Sequence, residues 1–307
     1  MWSRARAWPS GAVSLLAAAL LTSACHGAPA AHPSAAASAS VSAPAVAAPA
    51  ASAVAGPVVA LGDSYTAGAM LPIDPSAAPP GCLRSARAYP VLVAAALHAT
   101  LTDAACASAG VKNMTASQPT YLGTNPAQFG ALGPADGVVL LTLSGDDMSF
   151  LNSLRECVKL SFTDPWGSPC RAYYAGQPGS QITAEAAKMT LVLRSIAARA
   201  PQARIVVVGY PDLFPQSGGC WPRVPITSGD IAWLRGIEFQ LNGMLADVAQ
   251  SAGATFVDTY TPTIGHDFCQ PESVRDVEGL IRGSLALPFH PNARGQAAIA
   301  AAVLKAL

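Results

Sequence analysis

The chain has 307 residues, 51% of them hydrophobic and 12% charged, with 18 Lys plus Arg against 18 Asp plus Glu. Taking Arg4 and Arg6, which fall in a leader, from the 18 basic residues leaves the remainder at a net charge of −2. A near-neutral surface carries no footprint for nucleic acid or for an anionic membrane, so those partner classes are set aside.

In chain order, Met1 to Ala24 holds two arginines, an apolar segment from about Gly11 to Leu21 and small residues before Cys25, the order of a secretory signal. Export is the expectation for residues 1–25. The apolar segment is shorter than the roughly 20 residues a membrane span needs. Residues 26–56 are almost wholly alanine, proline and serine, which cannot bury enough surface to fold and read as a disordered linker. That leaves residues 57–307 as the folded unit, one domain's worth, expected to be a monomer.

The run Val58-Val59-Ala60-Leu61 reads as a buried strand, and Gly62-Asp63-Ser64 directly after it puts a serine at the strand's carboxyl end. Ala88 to Leu101 has helical spacing, with Tyr89-Pro90 suiting a first turn. Ala104 to Gly110 reads as a second strand and its turn. Asp136 to Ser144 is a third strand, after which Asp146 or Asp147 is placed to cap a helix toward Cys157. Thr183 to Ala200 reads as a helix, Ala203 to Gly209 as a strand, and Gly229 to Ala252 as a long helix striped by Ile231, Leu234, Ile237, Leu241, Leu245 and Val248. Ala254 to Asp258 is a last strand and Pro291 to Ala306 a closing helix; Ser161 to Gln181 and Pro211 to Gly229 read as loops. Strands alternating with helices predict an α/β fold, a five-stranded parallel sheet covered on both faces.

Seven cysteines stand at positions 25, 82, 106, 157, 170, 220 and 269. The last six form an even set in an exported chain and predict disulfides, for which 15 pairings exist. Nearest-in-sequence pairing joins Cys82 to Cys106, Cys157 to Cys170 and Cys220 to Cys269. Cys25, after Leu20-Leu21-Thr22-Ser23-Ala24, resembles a bacterial lipoprotein attachment site, which makes a membrane tether one reading and an ordinary cleaved signal the other.

A nucleophilic serine needs a base. Of five histidines, His26 and His32 lie in the linker, His98 falls in the first helix, and His266 sits three residues before Cys269. His290 remains, in Leu287-Pro288-Phe289-His290-Pro291-Asn292 before the closing helix.

Four blocks in order carry a family resemblance: Gly62-Asp63-Ser64-Tyr65, Ser108-Ala109-Gly110, Thr142-Leu143-Ser144-Gly145-Asp146-Asp147 and Phe289-His290-Pro291-Asn292. With Tyr89-Pro90, Gly209-Tyr210-Pro211, Gly265-His266-Asp267-Phe268-Cys269 and the six cysteines, the chain resembles the GDSL-type esterases and lipases, the SGNH hydrolases, and within them the secreted, disulfide-bearing actinobacterial branch. The resemblance implies a three-layer α/β/α, flavodoxin-like fold and a cofactor-free esterase or lipase acting on a small-molecule or lipid ester. Ser64 would attack the ester carbonyl, His290 would move the proton, and the backbone N–H groups of Ser64 and Gly110 would meet the oxyanion.

Two departures from the family pattern stand out. Where many members have an orienting aspartate, this chain has Leu287, so its backbone carbonyl is expected to hold the imidazole, with Asp267 as the side-chain alternative. The asparagine that donates to the oxyanion is Asp146 here, and an ionised carboxylate has acceptors only. Asp146 therefore predicts a slow enzyme, an enzyme favouring acid, or a surface protein of the same fold that binds an acylated or glycan ligand without turnover. Asp63 and Asp147 are expected to hold loops; a metal site built from Asp63, Asp146, Asp147 and His290 is the minor alternative. Trp166, Tyr173, Tyr174 and Trp221 are candidates to line an acyl or sugar pocket.

Overall fold

In the computed structural model, which describes residues 56–307, the valine-rich run becomes β1 (Val58–Gly62), which leads into a one-turn helix α1 (Ser64–Ala67). The leader, most of the linker and Cys25 lie outside the described residues. Helix α2 (Tyr89–Ala96) precedes β2 (Leu101–Asp103); β3 (Gln118–Thr120) and β4 (Gly123–Asn125) form a small antiparallel hairpin. Then come β5 (Val138–Thr142), α3 (Phe150–Ser161), α4 (Pro169–Tyr174), α5 (Gln177–Arg199), β6 (Arg204–Val208), α6 (Ser228–Ser251), β7 (Thr255–Val257) and α7 (Ala293–Ala306). The main sheet runs β2-β1-β5-β6-β7, and every pairing in it is parallel.

The strands are continuously apolar because both faces are covered. Val58, Val138, Leu140, Val206 and Val208 pack with Tyr89 and Val93 of α2 and Ile299 and Val303 of α7. Their neighbours Val59, Leu61, Val139, Leu141 and Val207 point the other way, into a core with Leu154 of α3, Met189 and Leu193 of α5 and Leu234 and Leu241 of α6. This is the expected three-layer α/β/α sandwich. Leu141 is fully buried, so Leu141→Ala should cost about 2–5 kcal/mol of unfolding free energy. Urea denaturation measures it as a lowered midpoint at unchanged slope; a loss below about 1 kcal/mol would contradict this packing.

Several boundaries differ from the sequence reading. The second strand is Leu101–Asp103, not Ala104 to Gly110, because its register pairs Leu101, Thr102 and Asp103 with Val58, Val59 and Ala60. Helix α2 accordingly ends at Ala96, and His98 sits beyond it in a turn at φ +54. Neither Asp146 nor Asp147 caps α3; Ser149 occupies that position, at φ +52 and without a side-chain cap. The stretch from Ser161 to Gln181 contains α4 and the start of α5, whose proline falls in the first helical turn, where its missing N–H is harmless. The disulfides join Cys82 to Cys106, Cys157 to Cys170 and Cys220 to Cys269. Among the described residues no helix is long and apolar enough to cross a membrane.

Candidate active site

The site begins where β1 stops. Gly62 turns there at φ +131, and a Cβ on it would stand 2.1 Å from the Thr142 carbonyl oxygen, so this exit admits only glycine. Gln128 brackets the turn, its Oε1 accepting from Gly62 N–H at 2.7 Å and its Nε2 donating to Gly62 O at 2.9 Å. Asp63 caps α1 by accepting Tyr65 N–H at 2.9 Å. Ser64 is thereby the first helical residue, and its own N–H has no partner inside the helix.

His290 arrives from the far end of the chain on a tight turn. His290 N–H donates to the Leu287 carbonyl at 3.1 Å, with Pro288 and Phe289 (φ +64) as the two central residues. Proline followed by a positive φ is the signature of a type II turn. Tyr65 O–H donates to the Phe289 carbonyl at 2.6 Å, and the Tyr65 ring lies 4.8 Å from the imidazole. Asn292 then caps α7, accepting from Arg294 and Gly295 N–H. A helix start thus fixes one side of the turn and Tyr65 the other.

These two approaches bring Ser64 Oγ to 2.7 Å from His290 Nε2, both residues being buried. His290 Nδ1 lies 2.9 Å from the Pro288 carbonyl. The orienting carbonyl is therefore that of Pro288 and not of Leu287: the Leu287 oxygen is consumed closing the turn, which leaves the central peptide's oxygen facing the ring. Asp267 does not touch the imidazole either, since its oxygens accept from Cys269 N–H and Gln270 Nε2. With Nδ1–H donated to Pro288, Nε2 presents its lone pair to the Ser64 hydroxyl. Burial lowers the His290 pKa to about 4, so the ring is neutral through the ordinary pH range.

The supposed oxyanion donors fare unequally. Gly110 N–H is engaged, donating to Asn113 Oδ1 at 3.0 Å, which removes it as a free donor in this state. Asp147 holds the same loop, accepting Val111 N–H at 2.8 Å. Asp146 lines the pocket beside Ser64. Burial, and next to it the charge of Asp147, raise its pKa to about 6. Asp63 is raised as well, first by burial and then by the charge of Asp146.

Tyr210 was not among the expected site residues. Its hydroxyl donates to Asp63 Oδ2 at 2.6 Å and accepts Gly145 N–H at 2.8 Å, tying the serine turn to the loop that carries Asp146. The Gly209-Tyr210-Pro211 block was the available signal. Both oxygens of Asp63 and both ring nitrogens of His290 are engaged by protein partners, Asp147 Oδ2 by Val111 N–H, and among the described residues no group of three or more His, Cys, Asp or Glu is disposed to hold a metal ion.

The pocket behind Ser64 is walled by Phe150, Leu151, Leu213 and Leu241, with Glu238 among its lining, and its volume is about 20 Å³. The aromatics expected to line it do not: Trp166 is 97% exposed, Tyr173 and Trp221 are also exposed, and Tyr174 packs on Trp233. His266 stands apart, its Nδ1 within 2.8 Å of the Val274 carbonyl.

Comparison with known proteins shows the family and the fold. Residues 60–298 match the model of the GDSL-like Lipase/Acylhydrolase family. Lipase 2 of Streptomyces coelicolor is 37% identical over 244 residues, covering 78% of this chain and 81% of that protein. The crystal structure of phospholipase A1 from Streptomyces albidoflavus superposes with a TM-score of 0.69 at 25% identity, covering 82% of this chain and all of the other. An extracellular lipase from Streptomyces rimosus gives the same score and coverage at 26% identity. A serine and a histidine in contact at the carboxyl edge of this sheet, in a chain matched along most of its folded length, place it in one family: the chain belongs to the GDSL-like lipase/acylhydrolases, a family of carboxylic ester hydrolases.

Proposed function

We propose that the protein hydrolyses acyl esters through a Ser64–His290 dyad and a covalent acyl-enzyme. The observation that carries this reading is the 2.7 Å contact of Ser64 Oγ with His290 Nε2, backed by the Pro288 carbonyl on Nδ1. As Oγ bonds to the ester carbon, its proton passes to Nε2 and the carbonyl electrons move onto oxygen. The Pro288 carbonyl stabilises the imidazolium so formed, as an orienting acceptor does in a triad. Collapse breaks the bond to the alcohol oxygen, which takes the proton from Nε2, and a water repeats the cycle on acyl-Ser64.

The oxyanion meets Ser64 N–H and, when Asp146 is protonated, its carboxyl O–H. Ionised Asp146 accepts only and opposes the developing charge. This supports turnover favouring acid. It also supports the second reading, a surface protein that binds an acylated or glycan ligand and turns it over slowly. The signal-like residues 1–25 and the likeness to an extracellular lipase support export, with Cys25 as a lipid tether and the monomer as the working unit.

Acid quenching after mixing with p-nitrophenyl butyrate, followed by peptide mass analysis, is expected to find one butyryl group on the peptide carrying Ser64. Hydrolysis with the label on another residue, or with no covalent species under burst conditions, argues against the dyad; binding without hydrolysis favours the second reading.

A further inference from the structure

Of the three carboxyls lining the pocket, Asp63 caps α1 and Asp146 is the proposed oxyanion donor, while Glu238 has no role in the proposed reaction. Glu238 lies on α6, is 1% exposed, and lines the same pocket as Ser64. Its Oε2 faces Leu213 N–H at 3.3 Å, while its Oε1 is buried with no hydrogen-bond partner. Burial, and next to it the charge of Asp212, raise the Glu238 pKa well above the carboxylate range. Buried this deeply and, among the described residues, paired with no Lys, Arg or His, Glu238 is favoured as the neutral acid, which has one O–H to place. Oε2 is acting as an acceptor, so the hydroxyl falls on Oε1, where no described group receives it. Native proteins leave few such donors unmatched, and one lining the pocket beside Ser64 is positioned to meet an acceptor on a ligand there.

We propose that Glu238 is a specificity-determining residue of the acyl subsite, its Oε1 hydroxyl donating to an oxygen carried along the acyl chain, so that oxygen-bearing acyl groups are preferred over plain alkyl ones. The inference rests on the ester-hydrolase reading of Ser64 and adds the class of acyl group. A plain methylene set against Oε1 leaves a buried donor unsatisfied, whereas an ether, hydroxyl or keto oxygen at that depth satisfies it. The carboxyl shares its side of the pocket with Phe150, Leu151, Leu213 and Leu241, and the other polar lining groups are Asp63, Ser64, Tyr65, Asp146 and Tyr210.

The test compares isosteric ester pairs in which oxygen replaces one methylene: methoxyacetyl with butyryl, 3-methoxypropanoyl with pentanoyl, and 4-methoxybutanoyl with hexanoyl p-nitrophenyl esters. Intrinsic reactivity differs within each pair, so the quantity read is the oxygen-to-methylene ratio of kcat/KM in the wild type divided by that in Glu238→Leu. At one chain position this quotient should be about tenfold, with a KM as well as a kcat component. Glu238→Gln keeps a donor and should retain most of the preference. A quotient near one at all three positions overturns the proposal.

A wild type without Ser64-dependent hydrolysis overturns the esterase reading alone, and the subsite is then decided by binding. Ser64→Ala should be stabilised thermally more by ethyl 3-methoxypropanoate, or its homologue of matching depth, than by the alkyl ester. Equal shifts reject the proposal. If Glu238→Leu does not fold, Glu238→Gln and this binding pair still decide it: no preference for oxygen in either is a failure.

Discussion

Replacing Ser64 by alanine lowers kcat for every ester the protein turns over by about 10⁴- to 10⁶-fold, and His290→Ala costs nearly as much. The size follows from what each atom does. Without Oγ nothing attacks the carbonyl; without Nε2 at 2.7 Å the hydroxyl keeps its proton and attacks weakly. The two act as one device, so the double variant should be no slower than the worse single, a large departure from additivity. Steady-state kinetics checks this, with unfolding midpoints for each variant, since both side chains are buried and their loss also touches packing. Pro288 contributes through its backbone, which side-chain substitution cannot remove. A Ser64→Ala variant retaining more than a few per cent of activity would sink the dyad.

The second large effect is on pH dependence. His290 must be neutral to accept a proton, and its lowered pKa keeps it so until the pH falls through about 4. Asp146 must be protonated to donate, and its raised pKa keeps it so until the pH rises through about 6. The product is a bell for kcat/KM lying between about pH 4 and pH 6, with the acid limb from His290 and the alkaline limb from Asp146. Asp146→Asn supplies a permanent N–H donor, so the alkaline limb should vanish and activity at pH 7.5 should rise by about 10- to 10³-fold, the range one oxyanion donor spans. The raised pKa also means the folded state favours protonated Asp146, so its ionisation lowers stability progressively as the pH rises from about 4 through about 6, in full above that and not at pH 3. The variant should therefore gain Tm at neutral pH and little at pH 3. An unchanged alkaline limb in Asp146→Asn would assign that limb to another group.

The parts of the fold legible in the sequence are those buried on both faces. Val138–Thr142 and Arg204–Val208 announce themselves because neighbouring residues enter opposite cores, which leaves little room for polar side chains. Strand β2 is three residues long, at the sheet edge and part exposed; Leu101-Thr102-Asp103 carries no apolar run to find. In the site, Ser64 and His290 were within reach because a strand-end serine and the elimination of four other histidines are residue-type signals. The Pro288 carbonyl and the engagement of Gly110 by Asn113 are backbone facts, and every residue has a carbonyl and nearly every one an N–H. Glu238 was legible in principle: Leu234, Glu238, Leu241 and Leu245 fall on one face of α6 at helical spacing, and a glutamate in an apolar stripe is the anomaly to pursue.

Ser64 and His290 stand 226 positions apart in sequence, one at the first strand of the sheet and the other beside its closing helix. The site therefore needs both ends of the folded unit in place at once: β1 delivers the serine, and the turn before α7, which packs against α2, delivers the imidazole. The contact joins the two most distant parts of the folded unit, so a displacement of either one separates Nε2 from Oγ. Loosening α7 from α2 is then expected to cost activity even where β1, β5 and β6 stay paired. Activity reads whether the final helix is seated, and should fade on heating before the signal of the sheet does.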